Sequence, residues 1–305
     1  MPADQSLSIG FKLPLDWRAR QHRGDLPRLE REVYGFLGGL GFEFVEFSFG
    51  LELEGNEAVL ELLREEASVC RAHGLGTAIH PGPSELDNLT GAWFGPVPEC
   101  QPGVSPVLQA GSCAARASGG PVTVVLHPAQ FAHQPELVEP SDLRREMVRR
   151  SALFFAQLER SVAGLDGAVH PVAEHQLPTD PDEPLMRIGD TCEELLQAAA
   201  HTRLGLCWDT GHYLLGVERY GQEQPPPERF LRRVTHVHLH DVVEGRDHQP
   251  ITSEAEHLRT LLGALRGVGF SGGVTLEYAP EGLMAGGGVQ PVLRDSVATL
   301  SCWLG

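Results

Sequence analysis

Residues able to hold a metal ion recur where apolar runs of this chain end. Successive runs finish at or near His80, His127, Glu174, Asp209, His238 and Glu277, and His212 follows Asp209 in Trp-Asp-Thr-Gly-His. Imidazole plus carboxylate suits Zn²⁺, Mn²⁺ or a neighbouring transition ion and argues against Ca²⁺ or Mg²⁺ alone. Any one of these residues is ordinary. A lone His at a strand end is commonly a hydrogen-bonding group, and a lone Glu is often the first exposed position of a loop. What points to shared chemistry is recurrence: runs such as VTVVLH and GVTLEY repeatedly finish on the same few polar types. A carboxylate drawn into such a site also needs a counter-charge, which a cation supplies.

The elements that must position them alternate along the chain. Strands are expected at Leu7–Leu13, Phe42–Phe47, Gly76–His80, Val122–His127, Ala168–Glu174, Leu204–Asp209, Val234–His240 and Gly273–Tyr278, several of them continuous apolar runs typical of parallel strands. Between them, Leu60, Leu63, Ala67 and Cys70 repeat at helical spacing, as do Leu143, Met147, Phe154 and Leu158. Ser141 is an expected N-cap, Ser253 with Glu256 an expected capping box, and Gly267 with Gly269 an expected stop. Eight strand–helix repeats predict one (β/α)8 barrel over residues 1–305, whose strand ends converge on one mouth. A doubly wound sheet is the alternative, but no G-x-G-x-x-G follows the first strand. The segments Pro81–Gly103 and His175–Pro184 read as long loops at the mouth, and Gln222–Glu228 as a connection on the opposite face.

Composition narrows the function classes. The formal net charge is −17 and Lys12 is the sole lysine, so nucleic acid is not an expected partner. Arg144, Arg145, Arg149 and Arg150 read as a solvated helix face. The six cysteines form no C-x-x-C pair and read as reduced packing residues. No apolar run is long enough to span a bilayer and the N-terminus lacks signal-peptide order, so the expectation is a cytoplasmic chain without a membrane partner; a homo-oligomer is compatible with the sequence.

The remaining histidines carry less. His236, His238 and His240 share one face of their strand and cannot all bind one ion. His170 is expected deeper, in a packing or supporting role. His22, His73, His201 and His257 look ordinary, while Glu43, Glu46, His133 and His175 are pocket candidates without an assigned role.

These residues resemble the xylose-isomerase-like barrel superfamily, which holds sugar isomerases and epimerases and the endonuclease IV type of apurinic endonuclease. GFEFVEF is similar to its second-strand pattern, AIHPGPSELDNLTG to the third strand and loop, and VVLHPAQF, WDTGHYLLG and HVHLHD to later strand ends. The resemblance implies a metal held by Glu174, Asp209, His238 and Glu277, with Glu174 and Glu277 also the acid/base pair. It implies a second site at His80 and His127, and a third at His212 with a D-x-H motif. Here that motif reads Gly-Arg-Asp-His, with His248 matching and Arg246 in place of the aspartate. This departure, and the missing glycine-rich pattern over Gln249–Glu254, speak against a complete three-metal cluster.

The leading expectation is a metal-dependent isomerase or epimerase of a sugar, ketose or related hydroxy-ketone, using Mn²⁺ or Zn²⁺. His80, His127, His212, Arg246 and His248 are its expected substrate contacts. The alternatives are an endonuclease IV-like phosphodiesterase, a dehydratase of an inosose-like ketone, and a non-catalytic barrel that binds metal or sugar.

Overall fold

The computed structural model describes residues 7–17, 31–51, 55–81, 104–132, 140–165, 167–180, 185–222 and 224–304. All eight expected strands form: β1 (Ser8–Pro14), β2 (Phe44–Phe49), β3 (Gly76–Pro81), β4 (Val122–Leu126), β5 (Val169–Glu174), β6 (Gly205–Asp209), β7 (Val234–Leu239) and β8 (Gly273–Leu276). They close into a barrel in the order β1-β8-β7-β6-β5-β4-β3-β2, each pairing parallel. Around it lie α1 (Glu57–Ala72), α2 (Val104–Ser118), α3 (Pro140–Val162), α4 (Cys192–Ala198), α5 (Thr210–Tyr220), α6 (Glu256–Gly267) and α7 (Val289–Leu304), with shorter helical turns between.

The period of two along each strand divides two unlike environments. Outward-facing Val45, Phe47, Leu206, Trp208, Val237, Leu239, Val274 and Leu276 are buried in the main core with Leu63, Phe154, Leu158, Leu195 and Leu262 of the helices. Inside the barrel, Val125, Val172 and Cys207 form a small apolar patch. Much of the interior is instead polar, with Glu46, Glu174, His236, His238 and Thr275 all buried. Barrel interiors usually fill with layers of branched apolar side chains, so this inversion needs a compensating network.

Register sets which polar groups meet. Lys12 lies beside Glu46, Asp209 beside His238, and His238 beside Thr275. At the opposite end the Phe44 ring crosses the floor. A Cβ on Gly10 would stand 2.2 Å from that ring, so β1 needs glycine there.

Several local expectations give way. α3 begins at Pro140, which places Ser141 inside the helix. Proline suits a first helical position because the N–H it lacks has no partner there. α6 is preceded by Ala255 without a side-chain cap, and Ser253 sits in the turn before it. Its stop is as expected, with the helix ending at Gly267 and Gly269 at a φ of 83°. Arg145 and Arg149 are solvated, but Arg144 bonds Asp190 and Glu194 and clasps α3 to the segment before α4. Tyr220 also donates to Asp190, at 2.9 Å, tying in α5. Of the five described cysteines four are buried and Cys302 is exposed on α7. No helix among the described residues is long and apolar enough to cross a membrane. Residues 82–103 of the first long loop, and His22 and His133, lie outside the described residues.

Candidate metal centre

His238, at the mouth end of β7, is the hub. Its Nδ1 lies 2.9 Å from Glu174 Oε1, 2.9 Å from Glu277 Oε2 and 3.8 Å from Asp209 Oδ2. Its Nε2 lies 2.8 Å from Oε1 of Glu46. Four residues far apart in sequence thus surround one point. Glu46 in turn accepts at Oε2 from His236 Nε2 at 2.9 Å and from Thr275 Oγ1 at 2.8 Å. A carboxylate braced behind an imidazole fixes ring orientation and raises its basicity toward a metal on the other side.

The electrostatics follow from this packing. Burial alone would lower His238, but Cys207, Glu46, Glu174 and Glu277 outweigh it and hold the ring well above its ordinary pKa. Burial alone would raise Glu174, but His238, His80 and His127 hold it well below the carboxylate range. Glu277 goes the same way against burial, through Lys12 and His238. The carboxylates therefore favour positive charge at this point, which a metal ion could supply.

Whether the residues fit such an ion can be judged from individual atoms. Glu174 Oε2, Asp209 Oδ2 and Glu277 Oε2 are buried yet receive no directed hydrogen bond. Buried polar atoms are rarely left so. Glu174, His238 and Glu277, together with His80, offer ligand atoms within 4.8 Å of one another, and Asp209 Oδ2 stands 3.8 Å from His238 Nδ1. The donor set of one imidazole and three carboxylates suits a divalent transition ion. The residues fit.

The Trp-Asp-Thr-Gly-His stretch shows how sequence builds this wall. Asp209 ends β6 and caps α5, its Oδ1 accepting from His212 N–H at 2.8 Å while Oδ2 turns to the centre. Thr210 Oγ1 donates to the backbone oxygens of His238 and His240, at 3.2 and 2.9 Å, stitching β6 to β7. A Cβ on Gly211 would stand 2.0 Å from His240 Cε1, so only glycine lets that ring lie against the helix start. His212 Nδ1 donates to the backbone oxygen of His175 at 2.9 Å, which leaves Nε2 facing Asp247 Oδ2 at 3.8 Å.

A cluster of Asp209, His212, His240 and His248 adjoins the centre, but hydrogen bonding sorts its members. His240 Nδ1 accepts the backbone N–H of His248 at 2.7 Å. A neutral imidazole that accepts at one nitrogen carries its proton on the other. His240 Nε2 therefore carries the proton, faces Asp209 Oδ1 2.9 Å away, and has no lone pair for an ion.

His80 and His127 meet at Glu174, their Nε2 atoms 3.1 and 3.0 Å from its Oε2. His248 lies on a short ribbon of Asp241–Val243 with Arg246–Gln249, and its φ of 53° belongs to the left-handed region. Its Nε2 is 3.1 Å from Glu277 Oε1 and its Nδ1 3.2 Å from Asp247 Oδ1. Against burial, Asp247 and Glu277 raise His248 to about 10. Arg246, expected to contact substrate, is instead 68% exposed and pairs with Glu244. Arg246 turns outward while Asp247 turns inward to 3.8 Å from His212 Nε2, so the acidic group displaced by one residue reaches the cluster after all. His170 corrects differently: it is exposed at the barrel floor. Sequence reasoning left Glu46 unassigned and missed Lys12, whose Nζ lies 2.5 Å from His80 Nδ1 and 2.6 Å from Glu277 Oε1.

Comparison with known proteins fits this geometry. Curated protein sequences gave no match. Among solved structures, the chain superposes on a D-psicose 3-epimerase from Clostridium cellulolyticum H10 with a TM-score of 0.59 and 14% identity, covering 97% of this chain and 98% of that one. A 3-keto-D-glucoside 4-epimerase from E. coli gives 0.54 and 16%, covering 97% and 100%. A sugar phosphate isomerase/epimerase from Parabacteroides distasonis gives 0.55 and 11%, covering 100% and 98%. Identities this low establish the shared fold, and those activities belong to those proteins. The profile of one family, described as xylose isomerase-like TIM barrel, matches residues 37–296. The chain belongs to the xylose isomerase-like TIM barrel family.

Proposed function

We propose that the chain is a metal-dependent isomerase or epimerase of a sugar, ketose or related hydroxy-ketone. The observation that carries this reading is the convergence of Glu174 and Glu277 on either side of His238 Nδ1, each 2.9 Å from it. Both carboxylates keep a buried oxygen without a directed hydrogen bond. Glu174, Asp209, His238 and Glu277 would hold a divalent ion, Mn²⁺ or Zn²⁺ by donor type, which supplies Lewis acidity for a substrate carbonyl.

Glu174 and Glu277 come from non-adjacent strands, so a substrate lying between them meets a carboxylate on each face. One removes the proton next to the carbonyl and the other returns a proton, a division of labour that proton transfer at carbon requires. His80 and His127 hold Glu174 from behind, while Lys12 and His248 do so for Glu277. His212 and His248 would meet substrate hydroxyls, and the outward Arg246 drops from that role.

The test is solvent deuterium exchange at the carbon beside the carbonyl. It uses Mn²⁺- or Zn²⁺-loaded protein and a panel of free ketohexoses, sugar phosphates and 3-keto-glucosides. Exchange is expected with one class and should fall by about 10²–10⁴-fold in E174Q, the usual worth of a positioned acid/base group. No exchange across the panel contradicts the reading. Loss of water from a ketone that does exchange indicates a dehydratase instead.

One observation favours a phosphodiesterase, the approach of both His80 and His127 to the same oxygen of Glu174. The net charge of −17 opposes a polyphosphate substrate. A nicking assay on abasic duplex DNA separates the two readings.

A further inference from the structure

Lys12 is the sole lysine of the chain, yet it does not lie on the surface, where lysines ordinarily keep their ammonium hydrated. Its side chain is only 13% exposed, with Nζ held 2.6 Å from Glu277 Oε1 and 2.5 Å from His80 Nδ1. An ammonium offers three donors and no acceptor, so His80 Nδ1 must accept that bond. The His80 proton is then on Nε2, which faces Glu174 Oε2 at 3.1 Å. To give Nε2 to a metal, His80 would have to move its proton to Nδ1 and lose Lys12. The other acceptor near Nδ1 is Glu46 Oε1 at 3.6 Å, and Glu46 already takes His236, Thr275 and the approach of His238.

Charge agrees. Glu46, Glu174 and Asp209 are buried carboxylates and Glu277, 15% exposed, adjoins them, and buried charge must be balanced locally. One divalent ion and one ammonium offset three of these four negative charges. A second divalent ion on the His80 and His127 side of Glu174 would stand against Lys12 and bring the positive charges to five against these four carboxylates.

We infer that Lys12 limits the centre to one metal ion: its ammonium takes the place of a second cation and keeps the His80 proton on Nε2, where it faces Glu174 and leaves no lone pair for an ion. This rests on the metal-dependent reading proposed above and adds to it a residue that sets ion number. Lys12 is here a positioning residue, acting through His80 and Glu277.

The test counts ions rather than turnover. Purified protein and K12M are equilibrated with excess Mn²⁺, freed of unbound ion, and analysed by elemental mass spectrometry and Mn²⁺ electron paramagnetic resonance. The expected result is one Mn²⁺ per wild-type chain with the six-line signal of an isolated ion. K12M should take two, with the broadened, spin-coupled signal of a pair. Two ions per wild-type chain, or a K12M that folds and stays at one, overturns the inference while leaving the metal-dependent reading intact. No bound ion in the wild type overturns both. Should K12M fail to fold, the wild-type count still decides.

Discussion

His238, on β7, and His240, one residue past its end, are both fully buried. Their surroundings give them opposite chemistry. His238 meets carboxylates at both nitrogens, so exchange of its Nδ1 proton for an ion leaves Nε2 still facing Glu46. His240 meets a backbone N–H at one nitrogen and therefore holds its proton on the other, which faces Asp209. Residue type makes an imidazole a candidate ligand. What its second nitrogen meets decides whether it can serve.

The comparison breaks most easily at His238. H238A should weaken Mn²⁺ binding, read by calorimetry, by more than the ~100-fold that marks the loss of an outer partner. A fall of under tenfold would remove His238 from its place as hub.

His175 sharpens the contrast, since neither of its ring nitrogens has a hydrogen bond. Burial holds it at about 4, below the ordinary 6.5. As pH falls past 6.5 the unfolded chain takes up a proton that the folded chain refuses until about 4. This depressed group thus leaves stability whole above pH 6.5 and erodes it between 6.5 and 4, by up to about 3 kcal/mol. Its ring packs edge-on against Tyr213 and Phe230, so H175F should fit. Urea unfolding of metal-free H175F should show a shallower loss of stability over that range than wild type. An unchanged slope contradicts the assignment.

The smallest effect is at His240. H240A removes the N–H that faces Asp209 and should weaken Mn²⁺ binding by about tenfold with the ion count unchanged. G211A should act in the same direction, because its new Cβ would stand 2.0 Å from the His240 ring and displace it. Since both act through one side chain, the double variant should be no worse than H240A alone. Full additivity would separate the two residues, and a lost ion in H240A would make it a ligand.

The strands and the convergence of their ends were legible because both follow from short-range pattern. Apolar runs of five or six residues mark strands, and the polar residue at the end of each run marks the mouth. Glu46 left the same kind of trace, a carboxylate between Val45 and Phe47 inside an apolar run, as did Lys12 between Phe11 and Leu13. A charge in mid-strand signals an inner face that is polar, and it was passed over in favour of strand ends. The role of His240 was not legible at all. It depends on a backbone N–H eight residues on, delivered by a ribbon whose left-handed residues, Glu244, Gly245 and His248, are set by tertiary contacts. Arg246 and Asp247 exchanged places for a similar reason: the backbone path of that ribbon, with His248 at a φ of 53°, brings the consecutive residues Asp247 and His248 both to the cluster and leaves Arg246 outside. The expected caps at Ser141 and Ser253 failed because Pro140 and the turn at Ser253–Glu254 place each helix start elsewhere.

Anomalous diffraction from a crystal grown with Mn²⁺ and recorded near the manganese edge tests the central claim most directly. One strong peak is predicted, enclosed by Glu174, Asp209, His238 Nδ1 and Glu277, with Lys12 still on His80. A crystal without that peak, or with its peak among His212, Asp247 and His248 alone, contradicts the account.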